Sequence, residues 1–234
     1  MVERRLCSSR ERAKSAITAG LVCVNGQQEC KPSRDVSERD VLDLREDEAL
    51  RYVSRGALKL LRALDEFAID VAGQRCLDVG ASTGGFTQVL LERGAAQVTA
   101  VDVGTAQLAQ IIRDDTRVLS LEQTDIRTLE TAPVAFACVD VSFISLRLVL
   151  PKLFELVVDG GCAICLVKPQ FELGPGAGKH GVIKDPKAQR RALEEVTAAA
   201  ERVGFMLGGT TVSPITGGAG NVEFLLCLKK EVAR

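Results

Sequence analysis

The stretch most suited to chemistry runs Cys76-Leu77-Asp78-Val79-Gly80-Ala81-Ser82-Thr83-Gly84-Gly85-Phe86-Thr87. A short apolar run ends at Val79, Gly80 and Gly84 permit a tight turn, and a helical pattern opens near Gly85. A ligand can then approach bare backbone at a helix N-terminus, outside the carboxyl end of a strand. The spacing is Gly80-x-x-x-Gly84-Gly85, which departs from the G-x-G-x-x-G of dinucleotide folds. A second apolar run ends in Val101-Asp102-Val103-Gly104, where a carboxylate can take two hydroxyls of a ribose. Alone, the loop reads equally well as an ordinary strand–turn–helix corner. Asp78 at its head and Asp102 after the next run tip the balance towards a nucleoside-type ligand.

Two other candidates carry less. Cys162-x-x-Cys165 lies in a predicted strand, where residues three apart point to opposite faces, so the pair is poorly placed to share a metal. No second pair or histidine cluster completes a zinc site, and no metal is expected. His180 is the single histidine. A nucleophile–histidine–acid triad therefore has no other candidate base, and the bland alternative is an exposed loop histidine.

The elements that must position these residues alternate in type. Apolar, β-rich runs at 75–79, 97–102, 117–121, 134–140 and 161–167 are separated by helical stretches, notably 84–93, 145–158 and 187–203. Asp185-Pro186 opens the last helix as N-cap and N1 proline, and Gly204 closes it. Such alternation predicts parallel strands joined by crossover helices. Runs at 205–213 and 221–228 have no helix between them and read as an antiparallel pair. The expected fold is α/β, a Rossmann-like sheet of seven strands with the last one reversed.

The first fifty residues follow a different grammar. Ser9 caps a short helix, Ala13, Ala16 and Ile17 share one face, and Gly20 ends it. A β run at 21–24 leads into Asn25-Gly26, a type I′ turn signal because both positions tolerate positive φ. A further short strand is expected at 41–44. The division predicted is 1–50 as a small α+β domain, 51–55 as a linker and 56–230 as the α/β domain.

Composition excludes several classes. The chain has 234 residues, 46% hydrophobic and 26% charged, close to globular averages. No run of about 18 uncharged apolar residues exists. The first residues lack a signal-peptide core, so eight cysteines read as reduced thiols of a cytoplasmic protein. A net charge of -1 implies no bulk attraction to nucleic acid, although local patches can still act. With no Trp and one Tyr, a broad aromatic stacking platform is not expected.

The glycine stretch resembles motif I of class I S-adenosylmethionine methyltransferases. The chain as a whole resembles the TlyA branch of the FtsJ-like ribosomal-RNA 2′-O-methyltransferases, often labelled haemolysins. Four segments carry that likeness: 51–60 (Arg-Tyr-Val-Ser-Arg-Gly-Ala-Leu-Lys-Leu), 78–87, 140–145 (Asp-Val-Ser-Phe-Ile-Ser) and 167–172 (Val-Lys-Pro-Gln-Phe-Glu). The resemblance implies S-adenosylmethionine as cofactor. Asp78, Gly80, Ala81, Ser82, Gly84, Gly85 and Phe86 would line its methionine part, with Asp102 on the ribose. Asp125 would face the adenine, or would be a plain turn aspartate.

The resemblance also implies a Lys–Asp–Lys–Glu tetrad, matched here by Lys59, Asp140, Lys168 and Glu223. Methylating a ribose hydroxyl is an in-line displacement at a sulfonium methyl, and the hydroxyl is a poor nucleophile until its proton is withdrawn. Desolvation and a neighbouring cation favour a neutral amine able to take that proton, with carboxylates fixing the geometry. Each residue has a bland reading: a solvated helix lysine, a strand-end cap, or, for Glu223, an edge-strand carboxylate in water.

Residues from Ser9-Arg10 to Asn25-Gly26 resemble an S4 RNA-binding domain. Arg4, Arg5, Arg10, Arg12 and Lys14 would then meet structured RNA, whose phosphates dominate affinity, joined by Arg55 and by Lys179. Lys179 lies in the glycine-rich stretch 174–181, which reads as an RNA-side lid or as a plain surface loop. Family members begin with a longer helix than Met1–Leu6 supplies, so either the natural start lies upstream or that helix is lost. The partners implied are ribosomal RNA and ribosomal subunits, with no membrane and no metal. The competing readings are a non-catalytic RNA- or ribosome-binding protein with a retained fold, and a haemolysin, which lacks a suitable basic amphipathic helix.

Overall fold

The computed structural model describes residues 1–7, 10–18, 20–45, 51–174, 176–217 and 219–232. The chain forms two compact units, Met1–Tyr52 and Val53–Arg234.

In the first unit, α1 (Arg10–Thr18) precedes β1 (Val22–Val24), β2 (Gln27–Glu29) and β3 (Leu42–Leu44). The strands form an antiparallel sheet in the order β2-β1-β3. Asn25 and Gly26 both adopt positive φ, 52° and 78°, as a I′ hairpin requires. Asn25 also works at a distance: its side-chain oxygen accepts from the Val41 amide and its Nδ2 donates to Asp40. The expected Ser9 cap lies outside the described residues. Ala13, Ala16 and all of β1 are buried. A cavity of about 460 Å³ opens in this unit, lined among others by Arg10, Ala13, Lys14, Ile17, Val24 and Leu42.

The second unit contains α2 (Ala57–Glu66), β4 (Arg75–Val79), α3 (Gly85–Glu92), β5 (Gln97–Val101), α4 (Gln110–Arg113), β6 (Val118–Leu121) and β7 (Val134–Val139). It continues through α5 (Leu150–Leu156), β8 (Val157–Val167), α6 (Pro169–Glu172), α7 (Pro186–Val203), β9 (Met206–Val212) and β10 (Phe224–Lys229). The seven-stranded sheet runs β6-β5-β4-β7-β8-β10-β9. Strands β4 to β8 are mutually parallel, and β10 runs against β8 and β9. This is the expected α/β architecture with a reversed last strand.

The central strands are buried on both faces, which is why they read as continuous apolar runs. Phe136, Ala137, Cys138 and Val139 are fully enclosed, and Leu150, Leu153, Val196 and Ala200 pack within the same core. Each buried Leu or Phe stabilises the fold by about 1.5–3 kcal/mol. Helix α7 ends as predicted, with Gly204 at φ 110° and the Asp185 carboxylate accepting from the Lys187 amide at its start.

Three boundaries differ from the sequence expectation. The helix expected over 145–158 is a 3-10 turn, Leu146–Leu148, followed by α5 only from Leu150. Ser145 caps the turn and Pro151 opens the helix, so the periodic apolar residues belong to two short elements. Strand β8 starts at Val157 rather than 161, continuing through Gly160 at φ 79°. Strand β10 starts at Phe224, leaving Asn221 and Glu223 just before it.

Candidate active site

The carboxyl ends of β4, β5, β7 and β8 meet on one edge of the sheet, where parallel α/β folds present ligands. After β4 the chain turns through Gly80 (φ 81°), Ser82 (φ 46°) and Gly84 (φ 95°) into α3. Gly80 has no room for a side chain, since a Cβ there would strike the Asp140 carbonyl. Gly85 lies against Ser54 and the Ala57 amide in the same way. The loop is thus a bare backbone cradle, closed on one side by the start of α2.

Asp102 stands just past β5 and faces this cradle. One carboxylate oxygen accepts from the Ser82 amide at 2.8 Å and the other from the Gly104 amide at 2.7 Å. Each oxygen keeps a lone pair free for a hydroxyl. Asp78 behaves differently, being fully buried beneath the loop. It accepts from Thr87 Oγ1 at 2.6 Å and from the Cys138 thiol at 3.7 Å. Burial pushes its carboxyl up to about 7, against the pull of those hydrogen bonds. Asp78 therefore ties β4 to α3 from below rather than lining the cradle. Ala81 and Phe86 are buried and Ser82 is exposed.

Asp125 caps the 3-10 turn Ile126–Thr128, and both its oxygens bind the Arg127 side chain at 2.6–3.1 Å. The Arg127 guanidinium holds its carboxyl below the usual carboxylate range. Asp125 thus has the local contacts of a turn aspartate.

Lys59, Asp140, Lys168 and Glu223 come together from four separate elements. Lys59 Nζ lies 2.6 Å from Glu223 Oε2 and 4.0 Å from Asp140 Oδ2. Lys168 Nζ lies 2.6 Å from Asp140 Oδ1 and donates to Ser142 Oγ at 2.9 Å. The side chains of both lysines and Glu223 are less than a tenth exposed, whereas that of Asp140 keeps 20%. The charges alternate in a buried row that opens to solvent at Asp140. Glu223 is no solvated edge carboxylate: its side chain is buried, and β9 rather than β10 forms the edge of the sheet. Burying four charges costs several kcal/mol per ion before pairing offsets it, so packing alone does not account for the cluster.

Two neighbours of the row lie within the 140–145 segment, yet the sequence reading gave them no role. Ser142 accepts from Lys168, and Phe143 is 91% exposed with φ 64°. The Phe143 ring lies 5.1 Å from that of Phe171. A hydroxyl and an aromatic two and three residues past a strand-end aspartate are the signal that points to them.

The basic residues of the first unit divide. Arg4 donates to the backbone carbonyls of Ser37 and Asp40, so it ties its own unit together. Arg5, Arg10 and Lys14 are exposed, and the Arg12 side chain lies outside what the structure describes. Arg55 is exposed, as are Lys179 and His180 in the loop before α7. Cys165 is buried and Cys162 partly so, and burial pushes both thiols up. Among the described residues, no group of three or more His, Cys, Asp or Glu could hold a metal. Among them, too, no helix is long and apolar enough to cross a membrane.

The FtsJ-like methyltransferase family model matches residues 52–230. The chain belongs to that family. An S4 domain model matches residues 1–42. The 16S/23S rRNA (cytidine-2′-O)-methyltransferase TlyA of Mycobacterium tuberculosis is 45% identical over 239 residues, spanning 100% of this chain and 89% of that protein. A solved structure from Streptococcus thermophilus that carries a hemolysin label is 46% identical, with a TM-score of 0.81, covering 97% of this chain and 85% of that one. An S-adenosylmethionine-dependent methyltransferase from Mesorhizobium loti, 15% identical, has a TM-score of 0.58 over 75% of this FtsJ-like chain and 99% of its own. At that identity the likeness establishes the fold alone.

Proposed function

We propose that this protein transfers a methyl group from S-adenosylmethionine to a ribose 2′-hydroxyl of ribosomal RNA, at a cytidine. The observation that carries the reading is the Lys59–Asp140–Lys168–Glu223 row beside the glycine cradle, in a chain nearly half identical to a protein named for that reaction. S-adenosylmethionine, when bound, supplies an electrophilic sulfonium methyl. The cradle at Gly80–Gly84 and the free lone pairs of Asp102 suit its amino-acid and ribose ends.

The chain's own groups act on the nucleophile. Lys168 Nζ, shielded from water and anchored by Asp140 and Ser142, orients the 2′-hydroxyl, and it is the unprotonated amine, its own proton released beforehand to solvent, that takes the hydroxyl proton as the oxygen attacks. Asp140 stabilises the resulting ammonium. Glu223 neutralises Lys59 and keeps that second cation beside Asp140. The exposed Phe143 ring offers a face for an unstacked base, the usual way single-stranded RNA is held. Arg10 and Lys14 supply phosphate contacts from the first unit.

Mass mapping of 2′-O-methylation on ribosomal RNA, with and without the protein, tests the reading and names the nucleotide. No new methyl group on either subunit would reject it.

A further inference from the structure

Glu172 lies four residues beyond Lys168 and is buried, yet it belongs to none of the groups described so far. Its carboxylate accepts from Ser145 Oγ at 2.5 Å and from the Leu146 amide at 2.9 Å. Arg147 Nε stands 3.7 Å from the same carboxylate, and Arg147 Nη2 donates to the Glu172 carbonyl at 2.8 Å. Arg147 also reaches Ser145 Oγ, at 3.1 Å, and Glu195 on α7, at 3.4 Å. The bonds to Glu172 all join the helix after β8 to the loop after β7.

Those two segments carry Lys168 and Asp140. Between Asp140 and Ser145 the loop must hold Ser142 against Lys168 while Phe143 stays at φ 64° and in solvent. A non-glycine residue in that region of backbone space persists only where its surroundings over-determine it. Short loops without such a tie relax, and ion pairs at their ends lose their geometry. A carboxylate buried for packing alone is unfavourable, and burial does push the Glu172 carboxyl up.

We propose that Glu172 is a positioning residue: it staples the Asp140–Arg147 loop to α6 and thereby holds Asp140, Ser142 and Phe143 in register with Lys168. It does not touch the reacting atoms and acts through that pair. The proposal rests on the methyl-transfer reading above.

The test measures methyl transfer to ribosomal subunits by the full chain, with kcat, the KM for subunits, S-adenosylmethionine affinity by calorimetry, and Tm recorded for each variant. Glu172→Ala should lower kcat by about ten-fold or more while cofactor affinity stays within about two-fold. Glu172→Gln should recover most of the loss, because an amide oxygen still accepts from the Leu146 amide. Ser145→Ala, which removes the hydroxyl's bonds to Glu172 and Arg147 but leaves Glu172 accepting from the Leu146 amide, should lower kcat by about three-fold and keeps the test decisive where Glu172→Ala does not fold. Unchanged kcat in Ser145→Ala and in whichever Glu172 variants fold overturns the proposal. So does a fall in Tm with unchanged kcat per folded molecule, or a loss of cofactor affinity as large as the loss of kcat. Lys168→Ala in the same assay separates the two claims: full activity there sinks the methyl-transfer reading itself.

Discussion

Asp140 Oδ1 and Lys168 Nζ stand 2.6 Å apart at the carboxyl ends of adjacent parallel strands, β7 and β8. The contact depends on register, since Val139 lies opposite Cys165 and Lys168 follows three residues later. A slip of one residue would turn every side chain on β8 to the other face and part the pair.

Lys168→Ala and Lys59→Ala should each reduce methyl transfer by about a hundred-fold or more, with cofactor affinity nearly intact, because both amines serve the hydroxyl nucleophile. A radiolabelled-methyl assay on ribosomal subunits reads this directly. Either variant working at the wild-type rate removes its lysine from the mechanism.

Asp102→Ala should weaken S-adenosylmethionine binding by about ten-fold or more, because the ribose partner and the tie to the Ser82 amide both disappear. Gly80→Ala should do the same for a different reason, since its new methyl meets the Asp140 carbonyl. Calorimetry giving wild-type affinity for Asp102→Ala would refute the ribose assignment.

The buried Asp78 makes stability depend on pH. Its folded value, about 7, lies above the ordinary 3.8 because burial disfavours the carboxylate. Between those limits the folded protein holds a proton that the unfolded chain has released. The stability this group contributes is therefore full below pH 4 and is lost as pH rises through 7, in total on the order of 4 kcal/mol. Asp78→Asn should abolish that component, so the difference in unfolding free energy between variant and wild type should change steadily across the window. A difference independent of pH between 4 and 7 would contradict it.

The first unit should open before the second. Its sheet has three strands of three residues each, and so short a core gives few cooperative contacts. Hydrogen exchange should show residues 20–45 losing protection well ahead of β4, β7 and β8. Arg10→Ala and Lys14→Ala should each weaken RNA binding across sequences and reduce its salt dependence, the slope falling by about one for each phosphate left unneutralised. Equal salt slopes for variant and wild type would show that these two residues do not meet phosphates.

Much of this protein was legible in its residue order because local chemistry decides it. Asn25-Gly26 demands positive φ at both positions, Asp185-Pro186 and Gly204 bracket a helix, and unbroken apolar runs mean strands covered on both faces. The glycine loop and Asp102 follow the same logic, since turn and strand end lie within a few residues of each other. What depends on neighbours distant in the chain could not be read that way. The tertiary fold buries Glu223 and pairs it with a lysine 164 positions earlier. Burial separates Asp78 from the loop residues beside it and raises its carboxyl. The run at 145–158 divides into a 3-10 turn, a short helix and the start of β8, and at the first of these the Glu172 carboxylate, from beyond that strand, accepts from the Ser145 hydroxyl and the Leu146 amide. Spacing along a chain reveals what a residue can do locally, whereas burial and charge pairing arise only when the whole sheet closes around it.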